Sequence, residues 1–367
     1  MKIINIGAPE IVMQNPDSHH NYFGWPTVTR LQNEKIAVVA SGFRMNHLCP
    51  FGKLVISYSE DDGKSYTAPA PILDTPLDDR DGGILPFGES GVMVTSFNHP
   101  RASYRSWAKG WAEKMGVSEY VNKYLDMITD EEEAKYLGTT FRISNDCGVT
   151  FGPIMKSPVT SPHGPCVLSD GSILWVGSEH PRHKSDFIKA YKINTDGTFE
   201  HVGAIEDIYV GGEKQISAEP YAIELDDGRI LCHIRAQNLG KSSVDGNLFT
   251  IFQSVSDDKG KTWSKPEQVL PNKSGAPSHI IKHSSGILIS TYGRRISPYG
   301  IKAMFSANNG KTWDVDNDIY VNEITTDLGY PSTIELADGS LLTVFYARPT
   351  NESPAAVIMQ QRWRFDV

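Results

Sequence analysis

Cysteine is scarce in this chain: four in 367 residues, Cys49, Cys147, Cys166 and Cys232, with no C-x-x-C pair among them. That usage excludes a disulfide scaffold and a thiolate-built zinc site, and the four read as reduced thiols. Long apolar runs are missing as well; no stretch approaches the ~18 consecutive apolar residues of a membrane helix, so no membrane partner is expected. There is no excess of positive charge either, since 35 Lys and Arg face 44 Asp and Glu for a net charge of −9. Such a balance provides no basic footprint for nucleic acid. The opening residues Met1 to Glu10 hold no apolar segment of signal-peptide length, which reads as a cytoplasmic protein, or a periplasmic or secreted one whose signal has been removed.

What the chain does hold is a repeated octapeptide. Ser256-Asp257-Asp258-Lys259-Gly260-Lys261-Thr262-Trp263 recurs as Ser59 to Tyr66, Ser144 to Phe151 and Ser306 to Trp313, giving S-x-(D/N)-x-G-x-(S/T)-aromatic. Each position suits a tight hairpin: the Asp or Asn side chain binds nearby backbone N–H groups, Gly takes a positive φ, and the aromatic anchors the next strand. Four copies, each preceded by a short apolar run, predict a repeated β unit. The octapeptide resembles the Asp-box of the sialidase superfamily, whose members are six-bladed β-propellers. Over nearly the whole chain the resemblance implies an all-β fold, a single propeller domain spanning 1–367 with four-stranded antiparallel blades.

A second pattern counts the units. A turn, a short apolar strand, a polar pair often reading Asp-Gly, and another apolar strand begin near Trp25, Asp81, His163, Glu219, Pro277 and Tyr330. These six openings lie 56, 82, 56, 58 and 53 residues apart. The long interval contains an insert at about 103–137 with Trp107, Trp111, Met115, Tyr120, Tyr124 and Met127 at helical spacing, read as helical. It is a candidate lid, or a contact for a homo-oligomer, or a core of its own.

In a meander, both kinds of hairpin turn lie on one face, and the starts of first strands and ends of second strands lie on the other. The innermost strand of each blade lines the channel, so these positions converge on one funnel. The first-strand starts are Trp25, the run Asp78-Asp79-Arg80-Asp81, His163, Glu219, His279 and Tyr330; the second-strand ends are Arg44 with His47, His99 with Arg101, Glu179 with His180 and Arg182, Arg235 with Gln237, Arg294 with Arg295, and Tyr346 with Arg348. That concentration of His, Arg, carboxylates and Tyr predicts a functional pocket.

Ser217-Ala218-Glu219-Pro220 with Arg235 resembles the segment that carries the sialidase glutamate and second arginine, and Gly329-Tyr330-Pro331-Ser332 the one that carries its tyrosine nucleophile. The third arginine falls at Arg294 or Arg295. A phenol of pKa ~10 is a poor nucleophile until a carboxylate takes its proton, and an aryl oxygen meets an anionic sugar with less repulsion than a carboxylate does. The chain departs from the pattern twice. Phe23-Gly24-Trp25-Pro26 stands where the superfamily has Phe-Arg-Ile-Pro, and no aspartate lies between Arg44 and Gly52, where the acid belongs.

The resemblance therefore implies a retaining, exo-acting glycoside hydrolase removing a terminal acidic sugar from a glycan or oligosaccharide. Its catalytic candidates are Tyr330, Glu219, Asp79, Asp81, His47 and His163, and its substrate-binding candidates Arg44, Arg80, Arg235, His279, Arg294, Arg295, Trp25, Gln237 and Arg348. Trp25 is a candidate sugar platform or channel plug. His47, His163 and His279 lack the short ligand spacing of a metal site, and neither metal nor cofactor is expected. Two other readings stay open: a uronate-oligosaccharide lyase using His and Tyr as acid and base, and a carbohydrate-binding propeller without catalysis.

Overall fold

The computed structural model describes residues 1–179, 188–238, 248–271 and 275–366. They form six antiparallel blades whose first strands meet around a central axis. Blade 1 is Tyr22–Arg30, Ile36–Arg44, Lys53–Ser59 and Ala70–Leu73; blade 2 is Arg80–Phe87, Gly91–Phe97, Thr139–Ser144 and Met155–Ser157. In blade 3 the first strand is broken into Val159–Thr160 and Cys166–Val167, both paired with Ile173–Glu179, and Ile188–Ile193 and Phe199–Ile205 complete the sheet. Blade 4 is Ile216–Glu224, Ile230–Gln237, Phe249–Ser256 and Glu267–Gln268, and blade 5 is Ser278–Lys282, Leu288–Arg294, Gly300–Ser306 and Asp314–Val321.

Blade 6 closes the ring. Gly329–Glu335, Leu341–Ala347 and Val357–Asp366 are joined by the opening strand Lys2–Met13, in a register running from Lys2 opposite Asp366 to Met13 opposite Ile358. Both ends of the described chain thus share one sheet, a pairing that no repeated motif announced.

Second strands are buried on both faces, so they read as continuous apolar runs and not as alternations. In Ile36–Arg44, Ile36, Val38 and Ala40 pack toward Leu342, Val344 and Ile358 of blade 6, while Ala37 and Val39 pack toward Ile84, Val92 and Val94 of blade 2. One strand therefore stitches three blades.

The octapeptides join third to fourth strands in blades 1, 2, 4 and 5. In the blade 4 copy, Gly260 N–H donates to Ser256 Oγ at 2.8 Å, and Asp258 accepts from Thr262 N at 2.8 Å and Thr262 Oγ1 at 2.7 Å. The same bonds recur at Ser59/Asp61 and Ser144/Asp146, and the two backbone ones at Ser306/Asn308, where the Asn308 amide instead donates to Thr312 Oγ1 at 2.8 Å. Each hairpin leans on the preceding blade: a Cβ at Gly260 would meet Leu174, and one at Gly310 would meet Leu231. In blade 5 the aromatic bridges back too, since Trp313 Nε1 donates to Gln253 at 2.9 Å.

The long interval is helical. Arg101–Trp107, Lys109–Met115, Ser118–Met127 and Asp130–Tyr136 lie between the second and third strands of blade 2, hence on the funnel face, and Thr129 with Glu132 forms a capping box. Their apolar stripe of Tyr104, Ala108, Ala112, Val121 and Leu125 packs on Met45, Cys49, Phe51 and Leu77. Of the aromatics and methionines read from the sequence, Trp111 and Tyr124 turn inward, whereas Trp107, Met115, Tyr120 and Met127 are exposed. The insert's packed side thus braces the 45–52 loop of blade 1.

Candidate functional site

Four first strands begin with the same distortion. Trp25, Asp81, Glu219 and Tyr330 have φ of 55°, 49°, 50° and 50°, and the register slips beside each, between Gly24 and Thr27, Arg80 and Gly83, Ala218 and Tyr221, and Gly329 and Ser332. Non-glycine residues in this region cost roughly 1–3 kcal/mol each and cluster where a side chain must be re-aimed. Here all four line one cavity of about 250 Å³ together with His47, Arg80, Arg235 and Arg295. Pro26, Pro220 and Pro331 follow three of them, which suits a bulge because proline gives up a ladder N–H.

Tyr330 and Glu219 form the centre of the cavity wall. The Tyr330 hydroxyl donates to Glu219 Oε1 at 2.6 Å, and Arg235 Nη1 reaches Glu219 Oε2 at 2.6 Å and the Tyr330 oxygen at 3.4 Å. Gln237 accepts from the other edge of the Arg235 guanidinium at 3.0 Å. Arg295 is held by Leu328 O at 3.1 Å and Tyr346 at 3.3 Å. The guanidinium carbons of Arg235 and Arg295 lie 4.9 and 5.7 Å from the Phe249 ring centre, so one aromatic supports both. Burial raises the Tyr330 phenol well above its ordinary value, and the Glu219 carboxylate adds to that. For Glu219, burial is outweighed by Arg235 and the Tyr330 hydrogen bond, leaving its pKa lowered. At rest the pair is a neutral phenol on an ionised carboxylate.

Asp81 is the second carboxyl of the cavity. It is 5% exposed, its Oδ1 has no hydrogen-bond partner among the described residues, and burial pushes its pKa up to about 7 against the pull of Arg80. Asp79 points elsewhere: its carboxyl accepts from Thr75 N at 2.8 Å and Thr75 Oγ1 at 3.0 Å, and burial pushes it up to about 8. It is not part of the cavity lining.

A third cluster faces the pair from blade 1. His47 Nδ1 lies 2.8 Å from Asp327 Oδ1, and the Tyr22 hydroxyl lies 2.9 Å from both. The His47 main-chain carbonyl accepts from Arg44 Nη2 and Arg80 Nη1, each at 3.0 Å. Arg44 itself is fully buried in an ion pair with Asp78, which also receives the Tyr104 hydroxyl of the helical insert at 2.7 Å. Trp111 Nε1 donates to Leu48 O at 2.7 Å. The loop carrying His47 is thus clamped from below by two arginines and from the side by the insert.

Trp25 lines the cavity but is almost closed off, and several other sequence candidates lie outside the wall. Trp25 is 2% exposed and has the Arg80 and Arg44 guanidinium carbons 4.1 and 4.9 Å from its ring centre, which makes it a plug and not an open sugar platform. His163 and His279 are buried, their rings 5.0 Å apart with Tyr221 against both; burial takes His163 down to about 3 and His279 well below its ordinary value. Arg294 turns to Asp316 at 3.3 Å, and Arg348 ties down the carbonyl of Ser353 at 2.9 Å. Neither they nor Gln237 line the cavity, and of the two neighbouring arginines it is Arg295 that does. His180 and Arg182 lie outside the described residues. Sequence reasoning missed Asp327, Tyr22 and Phe249. No group of His, Cys, Asp and Glu suited to a metal ion occurs among the described residues.

Residues 138–344 match the BNR repeat-like domain family. Among solved structures, a protein of unknown function from Dyadobacter fermentans superposes with a TM-score of 0.73 at 17% identity over 99% of both chains. The NanB sialidase of Streptococcus pneumoniae gives 0.65 at 12% identity, covering 97% of this chain and 70% of that one. The intramolecular trans-sialidase of Ruminococcus gnavus gives 0.63 at 12%, covering 98% and 99%. At these identities the likeness is one of fold. No curated protein matches the chain.

Proposed function

The chain belongs to the BNR repeat-like domain family and has the sialidase-type propeller, and from that premise we propose that it is a retaining glycosidase acting on a terminal acidic sugar. One observation carries the reading: the 2.6 Å hydrogen bond from Tyr330 to Glu219 beside two arginines in a cavity wall. Glu219 takes the phenol proton as the tyrosine oxygen bonds to the anomeric carbon, and Arg235, 3.4 Å away, stabilises negative charge on that oxygen. Arg295, with no carboxylate within ion-pair distance among the described residues, suits the substrate's own anion. The cavity suits one sugar ring, which favours attack at a chain end.

A uronate lyase would use a His and a Tyr as acid and base, and the burial of His163 and His279 outside the cavity lining speaks against those two histidines in that role. Purified protein assayed on sialosides, uronosides and uronate oligosaccharides, with reducing sugar and ultraviolet absorbance recorded together, tests the proposal. Reducing sugar without absorbance, lost in Tyr330→Phe and in Glu219→Gln, is the expected result. An absorbing product that survives both substitutions would overturn it.

A further inference from the structure

The hydrolase reading leaves one role unfilled, the proton donor to the departing oxygen. Among the catalytic candidates read from the sequence, Asp79 is excluded by its bonds to Thr75, which leaves Asp81 and His47 to weigh as donors; Glu179, which also lines the cavity, is held in an ion pair with Lys189. Exposure separates them. The His47 side chain keeps 38% of its surface open, whereas Asp81 keeps 5%. The glycan remainder must leave toward solvent, so the donor has to stand on the open side of the sugar, and of these two groups His47 is the open one.

The surroundings of His47 are those of a proton-transfer group. Asp327 and Tyr22 both engage Nδ1, and because Asp327 is an acceptor, the neutral ring carries its proton on Nδ1. Nε2 makes no hydrogen bond among the described residues and belongs to a ring that lines the cavity. The edge of the Trp25 ring, 4.9 Å between centroids at an interplanar angle of 80°, and the main-chain anchors from Arg44 and Arg80 fix the ring plane.

We infer that His47, oriented by Asp327 and Tyr22, is the acid and base of the leaving-group side, in the segment that lacks an aspartate. The inference rests on the hydrolase reading. In the first step imidazolium Nε2–H gives its proton to the glycosidic oxygen, which keeps the electron pair of the breaking C–O bond. The Tyr330 oxygen bonds to the anomeric carbon as its own proton passes to Glu219. In the second step neutral Nε2 takes a proton from water while the water oxygen bonds to the anomeric carbon. The tyrosine C–O pair returns to Tyr330, which recovers the proton held by Glu219. One water is consumed, and His47, Tyr330 and Glu219 all return to their starting states.

Charged neighbours set the pH behaviour. Burial lowers the His47 pKa, Asp327 opposes that, and Arg80 and Arg295 add to the lowering; Tyr22 is a neutral contact. Activity through the imidazolium therefore falls as pH rises through the His47 value, and Asp327→Asn moves that limb to lower pH.

The test is leaving-group dependence in the full-length protein. His47→Ala should lose at least ~100-fold in kcat/KM on a substrate with an alkyl or sugar leaving group, yet lose less than ~10-fold on the same sugar carrying a nitrophenol, which departs without a proton. Equal losses on both would assign His47 a structural role and overturn the inference while leaving the hydrolase reading intact. Cleavage of neither substrate by the parent protein would remove the hydrolase reading itself. Independently of activity, nitrogen NMR of the His47 ring should give the Nδ1–H tautomer at neutral pH, and the Nε2–H tautomer would overturn the inference.

Discussion

In the octapeptide hairpins the left-handed pair is an ordinary residue followed by glycine, as in Asp62-Gly63 and Lys259-Gly260, with φ of 58° and 82°, and of 59° and 88°. At the first-strand starts the left-handed residue is Trp25, Asp81, Glu219 or Tyr330. The hairpins satisfy themselves within eight residues, with Ser and Asp side chains taking up the turn's N–H groups. The funnel bulges do not: among the described residues, Asp81 retains an unpaired carboxyl oxygen, and the hydrogen-bond partners of Glu219 lie 16 and 111 positions away. The same backbone conformation thus closes a turn on one face and aims a reactive group on the other. Strain that is relieved locally is structural, and strain that is held by distant partners marks the site.

The comparison can be broken at four places. The largest effect belongs to the funnel: Tyr330→Phe and Glu219→Gln should each cut kcat more than ~10³-fold with the unfolding midpoint preserved, read by steady-state kinetics and calorimetry. Next comes the buried support beneath it. Asp78→Ala leaves Arg44 without its partner inside the protein and should cost about 3–5 kcal/mol in urea unfolding; a loss under ~1 kcal/mol would mean that the arginine cluster does not brace the His47 loop.

The third concerns Asp81. Its folded pKa is raised to about 7, so its contribution to stability is complete below the unfolded value near 4 and is lost as pH climbs through about 7. Asp81→Asn should therefore match the parent at pH 4 and exceed it by on the order of 4 kcal/mol at pH 8; a pH-independent difference would refute the burial of a charge there. The smallest effect is on the opposite face. Gly260→Ala, at φ of 88°, should cost about 1–2 kcal/mol and leave kcat/KM unchanged, and a change in catalysis would dissolve the division between the two faces.

Much of the funnel was legible because its bulges carry local marks. An aromatic or acidic residue followed by proline at the head of an apolar strand picks out Trp25, Glu219 and Tyr330, and a period near 56 residues aligns them. Asp327 carries no such mark, since it sits in the connection after Val321 and meets His47 from 280 residues away. Arg294 and Arg295 are neighbours whose backbones point opposite ways: the first ends the strand Leu288–Arg294 and faces Asp316, and the second turns inward once the strand is over. His163 fell at the right turn of the chain, yet the broken first strand of blade 3 leaves it behind the wall.

The sequence by itself determined the repeat, the number of blades, the octapeptide turns and the positions from which a pocket could be built, because each depends on contacts within a few residues and recurs. Only the tertiary structure decided which of those positions face the cavity, that Lys2–Met13 closes the sixth blade, and that Asp327 and Tyr22 orient His47. The physical reason is range. Turn chemistry and strand period are written locally, whereas burial, ion pairing and the direction of a side chain at a strand end depend on partners that the chain brings together only when the ring is closed.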